Sequence, residues 1–173
     1  MVLPSGQLEV LVHDAASVVV LWRRTVLVQY RRGELTLDAL QRIGASLRVI
    51  IAAGRPLGAL LVVEGGAPVP SESARARQRS LVQEILKHPG LRMAPVVRGD
   101  DLMAGLNRSA GRLVGMGHKD QIFHGTEPAA GAAWLAAQLT ELGAVVRTQD
   151  IQGLFEHCIE VIALASDPSK PGA

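Results

Sequence analysis

Residues 57–86, LGALLVVEGGAPVPSESARARQRSLVQEIL, decide how this chain folds. Residues 58–63 carry no charge and end in Leu60-Leu61-Val62-Val63. Strands covered on both faces read as continuous apolar runs, so this one predicts a central strand. Gly65, Gly66, Pro68 and Pro70 stop it, because Gly frees the backbone and Pro has no amide for a ladder. Ser71 or Ser73 then caps a helix by accepting a hydrogen bond from an otherwise unpaired amide. Ala74, Leu81, Val82 and Ile85 give that helix its apolar stripe, while Arg75, Arg77 and Arg79 face water. The unit is strand, loop, helix.

Upstream, residues 37–53 read as helix: Leu40, Ile43, Leu47, Ile50 and Ile51 follow helical spacing, with Thr36 as N-cap. Three extended segments precede it. Residues 7–13 (QLEVLVH) alternate like an edge or half-exposed strand, and residues 17–22 (SVVVLW) form a stronger, β-branched one. Residues 26–30 follow, either through a tight connection at Arg23-Arg24-Thr25 or as one bulged, continuous strand; Arg31-Arg32-Gly33 closes them.

Downstream, residues 91–97 are a strand in which Pro95 points to an edge position or a bulge. Asp100 and Asp101 sit where a helix begins, with Leu102, Met103, Leu106, Ala110, Leu113 and Val114 on its buried side. Gly115-Met116-Gly117 ends it, residues 121–124 are a short strand, and Thr126 caps an alanine-rich helix over 128–142. Pro128 suits the first turn of that helix. Strands followed by repeated helix–strand alternation predict an α/β fold with a mixed sheet, parallel in its later strands, and helices packed on it.

Residues 148–165 are an additional amphipathic helix, with Ile151, Leu154, Phe155, Cys158, Ile159 and Ile162 on one side. It either completes the core or forms an oligomer or partner contact. The expected organisation is an α/β domain over 1–147, this helix, and a disordered tail over 166–173 (SDPSKPGA).

Composition narrows the function. A chain of 173 residues that is 48% hydrophobic can bury one ample core, and only 3% aromatic content leaves that core to Leu, Val, Ile and Ala. The net charge is +2, with 15 Arg and 3 Lys, and no dense basic face interleaved with aromatics signals nucleic acid. Cys158 is the single cysteine, which excludes an intramolecular disulfide and a zinc–thiolate cluster. The first twelve residues lack a secretory signal pattern, and the apolar runs at 49–53 and 58–63 are too short to span a bilayer. Cytoplasmic location is the expectation.

Catalytic signatures are missing. His13, His88, His118, His124 and His157 show no zinc-binding spacing, and His157 beside Cys158 on a helix faces another direction. Gly65-Gly66 lacks the lysine of a phosphate-binding loop, and Gly115-x-Gly117 follows a helix instead of a strand. Asp100-Asp101 reads as a helix cap before a metal site, so no metal or cofactor is expected. Arg23, Arg24, Arg31 and Arg32 either hold an anionic partner by bidentate contacts or are solvated strand ends.

The order of elements resembles the STAS-like fold, and within it the SpoIIAA-like group. The resemblance is carried by SVVVLW, LTLDALQRIGASLRVIIAAG, GALLVVEGG, RMAPVVRGDD, LMAGLNRSAGRLVG and DQIFHGTEPAAGAAWLAAQL, the last with its Trp134-Leu135 pair. It covers roughly residues 8–142 and rests on pattern more than on identities. It implies a non-enzymatic regulatory or adaptor protein that binds a protein partner. It also implies a phosphorylatable hydroxyl at the start of the helix after a core strand, where Ser71 and Ser73 stand. This chain has Pro70-Ser71-Glu72-Ser73 where such domains carry an Asp-Ser-Ser-Gly-Leu-Gly type of signature. The expected partner surface is Gly65, Gly66, Pro68 and Glu72 with the two serines, extended by the four arginines. Homo-oligomerisation is expected through Ile151, Leu154, Phe155, Ile159 and Ile162. A small apolar ligand or lipid held beneath a helix is the alternative, and an enzyme using histidines gathered by folding ranks last.

Overall fold

The β-branched and aliphatic runs become strands. The computed structural model describes residues 4–99, 105 and 118–165. In them β1 (Leu8–His13), β2 (Ser17–Trp22), β3 (Val26–Arg31), β4 (Leu57–Val63) and β5 (Leu91–Val97) form one sheet in chain order. β1, β2 and β3 pair antiparallel, whereas β4 joins β3 and β5 joins β4 in parallel. The mixed sheet, parallel in its later strands, is the one the alternation predicts.

Arg23-Arg24-Thr25 make a hairpin connection, not a continuous strand. The Thr25 amide donates to the Trp22 carbonyl at 3.0 Å, and Arg23 and Arg24 have φ of 51° and 54°. Left-handed backbone at both positions matches the twist of a hairpin, although residues with a Cβ adopt it at a cost. β1 is the edge strand on this side, and a bulge between Val10 and Val12 breaks its ladder. At the other edge, Met93 accepts from the Phe123 amide at 2.8 Å, so alternate β5 residues turn their amides outward. Pro95 is two residues on, and its missing amide therefore faces away from β4.

Four helices among the described residues cover the sheet: α1 (Leu37–Ala52), α2 (Glu72–Ile85), α3 (Pro128–Glu141) and α4 (Thr148–Ala165). Thr36 caps α1 as expected, its hydroxyl accepting from the Ala39 amide at 3.2 Å. α1 and α2 pack with Val19, Leu21, Leu27, Leu57, Ala59 and Met93 on one face. α3 and α4 pack with Val18, Val20, Val28, Leu60, Val62 and Val96 on the other. Alternate residues of each strand thus serve two cores, which is why β2 and β3 have no exposed position. Gly131 lets α3 approach closely: a Cβ there would lie 3.2 Å from Ala94 Cβ and from Leu60 Cδ1.

Two sequence expectations change, the first at the start of α3, whose N-cap is Glu127, with no side-chain hydrogen bond to the helix, and not Thr126. Residues 121–124 pair with β5 through a single bridge, Ile122 to Met93, preceded by a 3-10 turn over Lys119–Gln121. Gln121 is turned inward there, donating from Nε2 to the His88 carbonyl at 2.9 Å, and too few residues remain before α3 to extend a ladder. α4 completes the same core as α3, one of the two readings open for it, since Ile151, Leu154 and Ile162 are fully buried against β2, β3 and α3. The expected helix start at Asp100-Asp101, its apolar stripe and the 166–173 tail lie outside the described residues. No helix among the described residues is long and apolar enough to cross a membrane.

Candidate functional site at the start of α2

The parallel strands end together. The Glu64 amide donates to the Arg31 carbonyl and the Arg98 amide to the Val63 carbonyl, each at 2.9 Å. Parallel α/β sheets place their binding sites at the carboxyl ends of strands, and the loop between β4 and α2 rises at this end. The Ala67 amide donates to the Glu64 carbonyl at 3.0 Å, closing a turn over Gly65-Gly66. Gly65, Ala67 and Pro70 are buried, whereas Gly66 and Pro68 are exposed at the crest. Of the expected partner surface, Gly65 is therefore buried beneath the crest.

Ser71 is the N-cap of α2, its hydroxyl accepting from the Ala74 amide at 3.4 Å. Ser71, Glu72 and Ser73 are all exposed, and the two serine Oγ atoms are 3.3 Å apart. Glu34, in the loop between β3 and α1, reaches across: its Oε1 accepts from the Ser71 amide at 2.8 Å. The Ser71 amide first, then its hydroxyl, hold the Glu34 carboxyl below the ordinary carboxylate range, with Arg31 adding to the effect.

The four arginines do not act together. Arg23 and Arg24 sit at the start of β3 and Arg31 and Arg32 at its end, roughly 20 Å apart along a six-residue strand. Of the second pair, Arg31 reaches the start of α2, through Glu34. Arg31 is 4% exposed and donates from Nη1 to the Gly33 carbonyl at 2.9 Å. Burial pulls its guanidinium below the ordinary value, with Glu34 opposing the shift. A partner cannot reach it, so Arg31 supports the site from beneath. Arg32 is exposed and donates to the Ala15 carbonyl at 3.2 Å. Arg23 lies 4.3 Å over the Trp22 ring and donates to the Ser5 carbonyl at 2.6 Å, which ties down the N-terminal segment.

A polar cluster that the sequence reading missed lies beside the loop. The Tyr30 hydroxyl donates to Glu64 Oε1 at 2.9 Å, and Arg98 Nη1 donates to the same oxygen at 2.7 Å. Burial, then the bond to Glu64, raises the Tyr30 hydroxyl above its ordinary value. A polar or charged residue at the end of each of three apolar strands (Tyr30-Arg31-Arg32, Glu64, Arg98) was the available signal. Glu34 carried no comparable signal, because its partner is far away in sequence.

The other candidates stay apart. His88 Nε2 pairs with the Arg55 carbonyl at 2.9 Å and His118 Nδ1 with Gln121 Oε1 at 2.8 Å. Among the described residues, no group of three or more His, Cys, Asp or Glu is placed to hold a metal. Cys158 is fully buried, which pushes its thiol up to about 12. Ile151, Leu154 and Ile162 are buried in the protein's own core, and Phe155 and Ile159 are half-buried against it. A hollow lined by Arg24, Val49, Ile50, Ala53 and Arg55 measures about 100 Å³, against roughly 300–1,000 Å³ for pockets that enclose small ligands. No protein-family model, curated protein or solved structure matches this chain.

Proposed function

We propose that this protein is a non-enzymatic regulatory or adaptor module of the STAS-like kind, working in the cytoplasm through a protein partner. The partner docks on the crest of the β4–α2 loop and the first turn of α2, at Gly66, Pro68, Ser71, Glu72 and Ser73. The observation that carries this reading is the exposed pair of serine hydroxyls at the start of α2, at the carboxyl end of an interior parallel strand. A phosphate there meets the positive end of the helix dipole and changes the charge of the docking surface, so Ser71 and Ser73 form the switch. The resemblance in element order and the α/β fold with its mixed sheet support the same reading.

Affinity capture with the purified chain tests it. One protein retained in stoichiometric amount by the wild type, and lost on S71A/S73A or on Gly66→Arg, is the expected result. Phosphopeptide mapping of the retained chain locates the modified serine. Equal retention of the same partner by every loop variant would move the docking surface elsewhere.

A further inference from the structure

Ser71 is held from two sides. Its hydroxyl accepts from the Ala74 amide inside α2, while its own amide donates to Glu34 in the loop before α1. The second bond joins the loops that rise from the ends of β3 and β4. It fills the start of α2 with a carboxylate the chain supplies itself, over a buried Arg31 that reinforces the positive potential. A negative charge arriving on Ser71 would lie within hydrogen-bond reach of that carboxylate. Like charges so placed exclude each other.

We propose that Glu34 is an electrostatic gate on Ser71. It binds the Ser71 amide while that residue is a neutral hydroxyl, and it is expelled when residue 71 becomes anionic. Expulsion unties the β3–α1 loop from the β4–α2 loop and leaves α2 itself intact. This rests on the start of α2 being the switch surface, and it adds what the charge does: it changes a joint between two loops. Ser73 meets the gate through the Ser71 hydroxyl, 3.3 Å from its own, so charge there moves the gate less.

Residue 71 can be charged without a kinase. Asp and Asn are comparable N-caps, so S71D against S71N isolates charge from capping. The urea midpoints of both variants are measured in the wild-type and E34Q backgrounds, at low and high salt. With Glu34 present, S71D unfolds at lower urea than S71N. In E34Q the gap closes or reverses, because Asp then faces the helix dipole alone. High salt shrinks the gap in the Glu34 background. Equal gaps in the two backgrounds at low salt would overturn the gate. Should S71D not fold in either background, exchange of the Ser71 amide decides: it accelerates in E34A, which removes the acceptor, and an unchanged rate overturns the proposal. These measurements use the purified chain alone, so their outcome is separate from the presence or absence of a captured partner.

Discussion

α2 and α4 are both amphipathic helices, and they use their apolar sides differently. α4 buries Ile151, Leu154, Cys158 and Ile162 to 1% exposure or less, in the core that covers β2 and β3. α2 buries only Ala74, Leu81 and Ile85 and turns Arg75, Arg79, Glu72 and both serines of its first turn to solvent. The starts differ as well. α4 is closed by its own residue: Asp150, in the first turn, accepts from the Arg147 amide at 3.1 Å and from the Arg147 side chain at 2.9 Å. α2 carries its own cap in Ser71, and that cap is tied in turn to Glu34, from another loop. A strong apolar stripe commits α4 to the core, whereas the start of α2 is tied to a residue distant in sequence.

The largest effect should come from the core. Leu154→Ala is expected to cost about 2–5 kcal/mol in urea denaturation, through lost burial and the cavity left behind. Leu81→Ala on α2 should cost less, because its site lies between two helices near the surface. Equal costs would break the contrast. Next is the start of α4, where Asp150→Asn should cost about 1 kcal/mol near neutral pH. Asp150 is held below the ordinary range, chiefly by the Arg147 side chain. A lowered folded value means the stabilisation is complete above the unfolded value, about 4, and is lost as pH falls through the folded one. The gap between wild type and Asp150→Asn should therefore close in acid, and a gap independent of pH would remove the ion pair from the account. The smallest pair of effects sharpens the picture of α2. Ser71→Ala should lose about 0.5–1 kcal/mol as a cap, and Ser73→Ala should stay within about 0.5 kcal/mol of wild type. A larger loss at Ser73 would make it the structural serine.

What the sequence disclosed follows the range of the interactions. The five strands of the sheet, the Thr36 cap, a cap at Ser71 or Ser73 and an edge or a bulge at Pro95 depend on neighbours a few residues away, and all were legible, unlike the start of α3 and the single bridge at Ile122. The stripe on α4 was legible too, but a stripe says only that one side needs covering. Whether the cover is the protein's own sheet or another molecule is a tertiary fact. Arg31 and Arg32 show the same limit at one dipeptide: alternation sends the first beneath α1 and α2, while the second leaves the strand for water. Glu34 and Ser71 are 37 residues apart, and Tyr30 and Glu64 are 34. Pairs at that distance emerge only once β3 and β4 are in register.

Cys158 makes the commitment of α4 a measurable quantity. It is the only thiol in the chain, it is sealed from solvent, and at about 12 it is almost entirely protonated near neutral pH. A thiol reagent can react only when α4 lifts from the sheet. The rate of labelling under native conditions therefore counts those openings directly. The protein carries its own clock for breathing of α4, read with no substitution at all.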